Sequence, residues 1–440
     1  MTEPKRRRLG CARASGIRPR ARSRVSSSPV PQTVATAAFA RVHRELVDAI
    51  LEEPADFIYG GTTGALAATA EAARRSGMPF AIDFEDFHAG EHAAPDGDLS
   101  NALGAQVMQW SAEGAAFVTA GSEAIAAACR DELGIAAIAI HNVFPLPARA
   151  PVRRAIDRGR SPFSVCWFSQ TIGPDRGLDD VVRALGATDR PASLNLRGCP
   201  AAGYMERLAA LARTAAPRVA LRVLSPVAPS LMVAECAAFD VGVAAEPGHV
   251  RNNALALSNK ATTYPLAGLP VLITDTAGQR PLADDLGAGA LRFSPGDHEA
   301  LAAPARPVDD GCGAARAGGR RELARRADAL ALGSRARTRS TGGGRGKGAV
   351  VNAHCDHRGP MPAGAPRLYG GIERVVAMLV AGLVRRGHDV TLIAHPDSRT
   401  PAPLVPYGFR RIAAGTSRTR ELTQIAGALL ALRSRGRHHP

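Results

Sequence analysis

The sequence predicts an α/β protein made of two doubly wound halves, each with a parallel sheet. Short apolar runs alternate with segments of helical length from about residue 42 to residue 147, and the alternation resumes after residue 161. The stretch of residues 149–161 is polar, basic and bounded by prolines, as a linker between domains is. Strands joined by helices of this length form right-handed βαβ units, which place the strands in parallel.

The first half contains four predicted strands that alternate with helices. Gly77 and Pro79 stop one helix, and Ser122 supplies the side-chain oxygen that caps another. The predicted helices span residues 41–52, 65–76, 104–114 and 122–133, and the predicted strands span residues 56–59, 80–84, 116–120 and 135–140.

The second half repeats the alternation and ends on its most informative stretch, SNKATTYPLAGLPVLIT at residues 258–274. The predicted strands span residues 163–168, 193–198, 220–224, 241–244 and 271–274, and the predicted helices span residues 178–185, 204–215, 231–238 and 259–267. Asn259 and Lys260 stand at the head of the last helix, and Gly268 and Pro270 end it. The free N–H groups of a helix start suit a phosphate, which predicts an anion site, although a purely structural helix–strand junction has the same pattern.

The remaining segments flank these two halves. Residues 1–40 are predicted to be a disordered basic leader, and residues 306–347, rich in Ala, Arg and Gly, a flexible linker. Regular structure is predicted to return with a strand at 349–353, a helix at 373–386 and a strand at 390–393. Residues 401–440 are predicted to be weakly ordered, with one helix at 421–432.

The charge distribution argues against a nucleic-acid-binding fold. The 440 residues carry a formal net charge of +15, yet residues 25–305 are net acidic and all the excess positive charge lies outside them. A nucleic-acid-binding domain normally carries its basic patch on the folded body. The Arg-rich ends leave peripheral contact with an anionic membrane surface open.

The remaining composition predicts a cytoplasmic protein without a metal site. No apolar run reaches the length of a membrane span, and no apolar core follows the basic start to make a secretory signal. Seven scattered cysteines without a CxxC pair fit a reducing compartment. The cluster His354-Cys355-Asp356-His357 lacks a second ligand pair at zinc-finger spacing.

Two segments resemble the C-terminal domain of retaining glycosyltransferases with the GT-B fold, of the family-4 type. They are WFSQTIGPDRGLDDVVRAL at residues 167–185 and SNKATTYPLAGLPV at residues 258–271. The resemblance implies that a basic residue, here Arg176 between Gly173 and Gly177, holds the donor's diphosphate. A guanidinium can bind phosphate oxygens in a bidentate manner.

The first half resembles the later part of the N-terminal domain of these enzymes. The segments that carry the resemblance are DFIYGGTTGALAATAEAARRSGMPFAIDFED at residues 56–86, AGSEA at 120–124 and HNVFP at 141–145. The family's usual His-Asp appears here as Glu85-Asp86, with His88 two residues on. The resemblance implies that these three residues serve the acceptor hydroxyl, and a buried or capping role for Asp86 is equally open.

The sequence departs from the family where many members carry two glutamates that hold the donor. The equivalent positions are Leu255 and Thr263, and Glu246 lies nearby but out of register. Asn259 and Lys260 are therefore expected to substitute for the pair. The expected donor-binding set is Gly173, Arg176, Gly177, Glu246, Asn259, Lys260, Tyr264 and Gly268.

The opening strand, glycine loop and first helix of such an enzyme are missing before residue 41, but a similar segment occurs at residues 367–400. Its loop would consist of Tyr369, Gly370 and Gly371, and Glu373 would start its helix. One interpretation is a gene fusion that leaves residues 348–400 as a fragment of a second enzyme, and this is the one we favour from the sequence. The other is circular permutation, in which the segment folds back and completes an otherwise incomplete N-terminal domain at residues 41–148.

The resemblance implies two Rossmann-like domains, at residues 41–148 and 162–305, that act as a hexosyltransferase. A sugar would pass, with retention of configuration, from a nucleotide-sugar donor to the hydroxyl of a carbohydrate or lipid-linked acceptor, with no metal or cofactor. The absent glutamate pair supports one alternative, a degenerate glycosyltransferase-like protein that binds nucleotide without catalysing transfer.

Overall fold

The computed structural model of the protein contains two parallel sheets flanked by helices. It describes residues 30–40, 42–93, 98–145, 162–188, 191–302, 347–352, 371–394, 398 and 401–406. The helices are α1 (Gln32–Phe39), α2 (His43–Glu52), α3 (Thr63–Ser76), α4 (Asp98–Ala112), α5 (Glu123–Leu133), α6 (Leu178–Gly186), α7 (Tyr204–Ala215), α8 (Pro229–Cys236), α9 (Arg251–Leu255), α10 (Asn259–Leu266), α11 (Arg280–Leu286), α12 (His298–Ala302) and α13 (Gly371–Arg385). The strands are β1 (Phe57–Gly61), β2 (Phe80–Phe84), β3 (Phe117–Ala120), β4 (Ile138–Ala139), β5 (Phe163–Ile172), β6 (Ala192–Pro200), β7 (Val219–Leu224), β8 (Val241–Ala244), β9 (Val271–Thr274), β10 (Ala290–Phe293), β11 (Lys347–Asn352), β12 (Asp389–Ala394) and β13 (Leu404–Pro406).

The second sheet is assembled from consecutive chain. Its strand order is β10-β9-β8-β5-β6-β7, and all neighbours pair in parallel. The order reverses between β5 and β8, since the chain runs outward from β5 in one direction and then returns to build the other side. The crevice at the carboxyl ends of these two strands is the switch point at which doubly wound sheets bind ligands.

The first sheet combines strands from distant parts of the chain. Its order is β13-β12-β11-β1-β2-β3-β4, and every neighbouring pair is parallel. β11 lies beside β1, with Tyr59 opposite Val350. If the strands are counted from β11, the order is that of a doubly wound sheet, with its switch point between β11 and β1.

This pairing does not support the fusion interpretation that we favoured from the sequence. The segment that begins at residue 347 lies within the first sheet instead of forming a separate body, as the fold-back interpretation expects. Ile393 of β12 belongs to the same apolar core as Ile58 of β1, and both side chains are fully buried. The first half is therefore incomplete without a segment that follows it by some 200 residues of chain.

The predicted elements agree with the structure in most of the chain. The strands at residues 80–84, 241–244 and 271–274 have the predicted bounds, and Ser122 caps α5 by accepting a hydrogen bond from the Ile125 N–H at 3.0 Å. The strand predicted at 135–140 is reduced to β4. Between residues 42 and 302, the described residues contain six elements that were not predicted, namely α9, α11, β10, α12 and the short turns of 3-10 helix at His88–Gly90 and Gly287–Gly289.

Two of the flanking segments contain regular structure that was not predicted. The leader of residues 1–40 contains α1, whose Ala35 is fully buried, and the tail of residues 401–440 contains β13. The two linkers lie almost entirely outside the described residues. So do the cluster at residues 354–357 and the helix expected at 421–432. Among the helices described, none has both the length and the apolarity needed to cross a membrane.

The pairing of β11 with β1 predicts that the protein can be split and reassembled. A fragment of residues 1–305 leaves the inner edge of β1 unpaired, so we expect it to be aggregated or to melt well below the full chain. Co-expression with residues 347–440 should restore a soluble complex with one cooperative transition in calorimetry.

The matched control carries Leu392→Asp in the added segment, because Leu392 is 3% exposed in β12 and a carboxylate there prevents docking. If residues 1–305 alone unfold at the same temperature as the full chain, β11 and β12 are not needed for the first sheet.

Candidate active site

The donor side of the candidate site begins at a position that only glycine can occupy. Gly177 has φ of 68° and precedes α6, and a Cβ at this position would lie 2.1 Å from the carbonyl oxygen of Ala245. The loop after β5 therefore packs directly on the end of β8. Arg176 precedes Gly177 and Glu246 follows Ala245, so this contact brings both residues to the same switch point. Gly173 is buried in this loop, and the side chain of Arg176 is exposed.

A buried ion pair occupies the centre of this region. Lys260 Nζ lies 2.7 Å from Glu246 Oε1, and each side chain is only 9% exposed. Ser258 donates a hydrogen bond of 2.9 Å to the same carboxylate oxygen. The ammonium group also lies 5.5 Å from the ring centroid of Trp167, which is within the range of a cation–π contact.

The electrostatics of Glu246 bring Arg176 into this cluster. Burial opposes ionisation of the carboxyl group, but the charge of Lys260, hydrogen bonds from Lys260 and Ser258, and the charge of Arg176 outweigh it. The pKa of Glu246 is therefore lowered. Arg176 and Lys260, which the sequence assigns to one anion site, act on a common carboxylate.

The start of α10 has the predicted form. Ser258 is its N-cap, and the Lys260 N–H donates to the Ser258 hydroxyl at 3.3 Å. Thr263, which stands where many family-4 enzymes have the second glutamate, is fully buried and donates to the Asn259 carbonyl at 2.6 Å. The side chain at this position is thus bonded within the helix and does not reach the site.

Two residues predicted to bind the donor lie elsewhere. Tyr264 is fully buried against Gly242 of β8, with its hydroxyl group donating to the Val243 carbonyl at 3.2 Å. Gly268 has φ of 73° and follows the C-terminal end of α10, whereas Asn259 begins the helix. Tyr264 therefore packs in the core, and Gly268 ends the helix. The TYPLAG pattern can be explained by these structural roles alone.

The three predicted acceptor-side residues follow β2 and lie at the opposite wall. The Asn142 amide donates to Glu85 Oε1 at 3.0 Å. The Asn252 amide of α9 donates to Asp86 Oδ1 at 2.9 Å, and its carbonyl oxygen accepts from the Phe87 N–H at 2.8 Å. Burial is the main reason why the pKa of Asp86 is raised. Asp86 therefore joins the two halves, which agrees with the structural alternative that the sequence left open.

His88 is buried among hydrogen-bonding groups. Its Nδ1 lies 2.7 Å from Glu91 Oε1 and 3.3 Å from the Thr63 hydroxyl. Burial disfavours the charged ring, but Glu91 and the more distant Asp86 outweigh it, so the pKa of His88 is raised. Within the described residues, Nε2 of His88 has no hydrogen-bond partner.

Contacts from α9 hold the two halves together at this wall. Ser122 donates to the Leu255 carbonyl at 2.6 Å while it caps α5, and Arg251 pairs with Glu132. Leu255 packs into the core of the first half. These contacts set the position of the β2 loop relative to the donor side.

The glycine loop expected from residues 367–400 is only partly described. Gly371 begins α13, whereas Tyr369, Gly370 and the side chain of Glu373 lie outside the described residues. Among the residues of this segment whose side chains are described, Arg374 reaches the cleft, and the sequence did not single it out. Its Nη2 donates to Asn142 Oδ1 and, at 3.3 Å, to Asn259 Oδ1. The sequence signal that could have identified Arg374 is a charged residue in the first turn of an otherwise apolar helix face.

The ion pair makes a prediction about stability and pH. Glu246→Gln leaves the ammonium group of Lys260 buried without its counter-charge, so we expect a loss of about 3–5 kcal/mol in the free energy of unfolding at neutral pH. Because the folded-state pKa of Glu246 is lowered, its contribution is complete above the ordinary value of 4.5 and disappears as the pH falls through the lowered pKa. The difference between wild type and variant should therefore shrink below pH 4.5, as measured by urea unfolding.

The control is Asp275→Asn, which breaks an exposed ion pair with Arg280 at 2.8 Å and should change stability by less than about 1 kcal/mol. A difference for Glu246→Gln that stays constant down to pH 3 would show that the carboxylate charge does not stabilise this region.

Comparison with known proteins agrees with this architecture. The model of the glycosyl transferase 4-like domain matches residues 6–145, and that of glycosyltransferase family 4 matches residues 369–439. No curated protein matches the chain. The Anabaena protein HepE, solved in complex with UDP, is 20% identical with a TM-score of 0.51, covering 66% of this chain and 79% of its own.

A second solved structure has lower similarity. Sucrose-phosphate synthase from Thermosynechococcus elongatus is 16% identical with a TM-score of 0.48, over 63% of this chain and 72% of its own. The two family models cover β1 to β4 and β12 to β13 of the first sheet, and 66% of the chain shares the fold of HepE. Together they identify the protein as a glycosyltransferase with the GT-B fold.

Proposed function

We propose that the protein transfers a glycosyl unit from a nucleotide-sugar donor to an acceptor hydroxyl, with retention of configuration. The observation that carries the proposal is the meeting of Arg176, Lys260 and the start of α10 around Glu246 at the switch point of the second sheet. A diphosphate leaving group develops negative charge as the sugar bond breaks. Preorganised cations and helix N–H groups stabilise that charge more than they stabilise the bound donor.

Arg176 is the principal diphosphate ligand in this proposal. Its side chain is exposed at the crevice, whereas the ammonium group of Lys260 is already paired with Glu246. The first turn of α6 carries Asp179 and Asp180, which weakens the N-terminal dipole of this helix toward an anion. The guanidinium of Arg176 therefore has to supply most of the positive charge.

Glu246 takes the part of the missing glutamates. Its Oε1 accepts from both Lys260 and Ser258, and no hydrogen bond to its Oε2 is found in the described part of the chain. A carboxylate oxygen held in this way suits a hydroxyl group of the donor's ribose or sugar. Lys260 and Ser258 then act by fixing the carboxylate and keeping it ionised.

The acceptor binds on the side of the β2 loop. Glu85 is half-buried at the end of β2 and is oriented by Asn142, so it is the best placed of the three carboxyl and imidazole groups to assist an acceptor hydroxyl. Asp86 is committed to the contact between the halves, and the buried His88 is held by Glu91 and Thr63. Closure of the halves excludes water, which otherwise competes with the acceptor.

A non-catalytic nucleotide-binding protein is the second candidate. Two observations favour it: the position of the second glutamate is closed by Thr263, and the charge of Lys260 is already balanced. Saturation-transfer NMR with a panel of nucleotide sugars, with the UDP sugars first, measures binding in either case. Product analysis by mass spectrometry with sugar and lipid-linked acceptors then separates the two, because the second candidate binds donor without forming product.

Arg176→Ala tests the proposed diphosphate site. We expect a loss of about 2–4 kcal/mol in transition-state stabilisation, which is roughly a 30- to 1,000-fold decrease in kcat/KM. Arg183→Ala is the control, since Arg183 is exposed on the same helix and pairs with Asp180 at 3.3 Å. Unchanged turnover of the Arg176→Ala variant would remove this residue from the site.

A further inference from the structure

One buried arginine connects the three parts of the chain that surround the cleft. Arg374 lies in the first turn of α13, within the segment that follows the second half in sequence but completes the first sheet in space. Only 8% of this residue is exposed. Burying a guanidinium is unfavourable unless it is well compensated, so its contacts identify what holds it there.

The contacts of Arg374 reach both halves. Its Nη2 donates to the side-chain oxygen of Asn142, at the end of the first half, and at 3.3 Å to the side-chain oxygen of Asn259, the first residue of α10. The guanidinium carbon lies 3.7 Å from the ring centroid of Phe144. A planar guanidinium can stack on a ring while it donates hydrogen bonds in its own plane, which an ammonium group cannot do.

These hydrogen bonds continue to both walls of the cleft. The same Asn142 side chain that accepts from Arg374 donates from its nitrogen to Glu85 Oε1 at 3.0 Å. On the other side, Asn259 directly precedes Lys260, whose ammonium group pairs with Glu246. Arg374 therefore links the acceptor-side carboxylate to the donor-side helix through two amide side chains.

We propose that Arg374 is a positioning residue of the transfer reaction, which sets the separation and orientation of Glu85 and the start of α10. The inference rests on the proposed function, since it assigns a role within that reaction. It makes the active site composite: the segment at residues 347–406 supplies part of the first sheet and also the cation that aligns the two walls. Misplacement of reacting groups by about 1 Å lowers a rate by about 100-fold.

The kinetic test uses the full chain with Arg374→Ala. We expect kcat to fall about 10- to 100-fold, whereas KM for the donor changes much less, because Arg176 and Glu246 remain in place. Guanidinium ion at non-denaturing concentration should restore part of kcat, and Arg374→Lys should restore little. Asn142→Ala combined with Arg374→Ala should lose less than the sum of the two single losses.

Arg385→Ala is the matched control, because Arg385 is exposed at the other end of the same helix. It should leave kcat, KM and the melting temperature unchanged. An unchanged kcat for Arg374→Ala, a loss that guanidinium does not rescue, or losses that add fully with Asn142→Ala would each overturn the proposal.

Amide hydrogen exchange tests the inference without relying on catalysis. In Arg374→Ala, peptides that cover residues 140–145 and 256–263 should exchange faster than in wild type and in Arg385→Ala. The reason is that the hydrogen bonds of Arg374 to Asn142 and to Asn259 are both lost. If the wild type transfers no sugar, the proposed function fails and exchange alone decides the inference. Unaltered exchange at both peptides would then overturn it.

Discussion

The pairing of β11 with β1 is the interaction on which the architecture depends. It places a segment from beyond residue 346 at the centre of the first sheet, between strands that would otherwise expose unpaired edges. Closing so long a loop costs little more entropy than closing a short one, since the cost grows only with the logarithm of length. A permuted order of strands can therefore give the same doubly wound sheet.

The same pairing explains how one cleft is built from three stretches of chain. Once β11 and β12 are in register, α13 begins at the edge of the sheet that faces the second half, and Arg374 reaches both halves from there. The contacts of α9 with the β2 loop fix the other wall. Strand register in one sheet thus sets the position of side chains in the cleft.

The donor side depends on a different constraint, the close approach of two backbones. Gly177 lies against the Ala245 carbonyl, and any side chain at this position would push the β5 loop away from β8. The contact concentrates Arg176, Lys260 and Glu246 in one place, with two positive charges around one negative charge. This balance leaves the cluster suited to an anion, while the carboxylate keeps the buried ammonium group compensated.

The sequence alone determined the alternation of strands and helices, the start of α10 and the joint placement of Arg176 and Lys260, because these depend on local periodicity, caps and glycines. It selected Tyr264 and Gly268 for the site, whereas Tyr264 packs in the core and Gly268 follows the end of α10, since the same short motif can serve a core as well as a site. The partner of β1 and the roles of Arg374 and Asn252 were decided only by the tertiary structure. Strand pairing and interdomain hydrogen bonds join residues more than 100 positions apart, and no local pattern records which distant segments will meet.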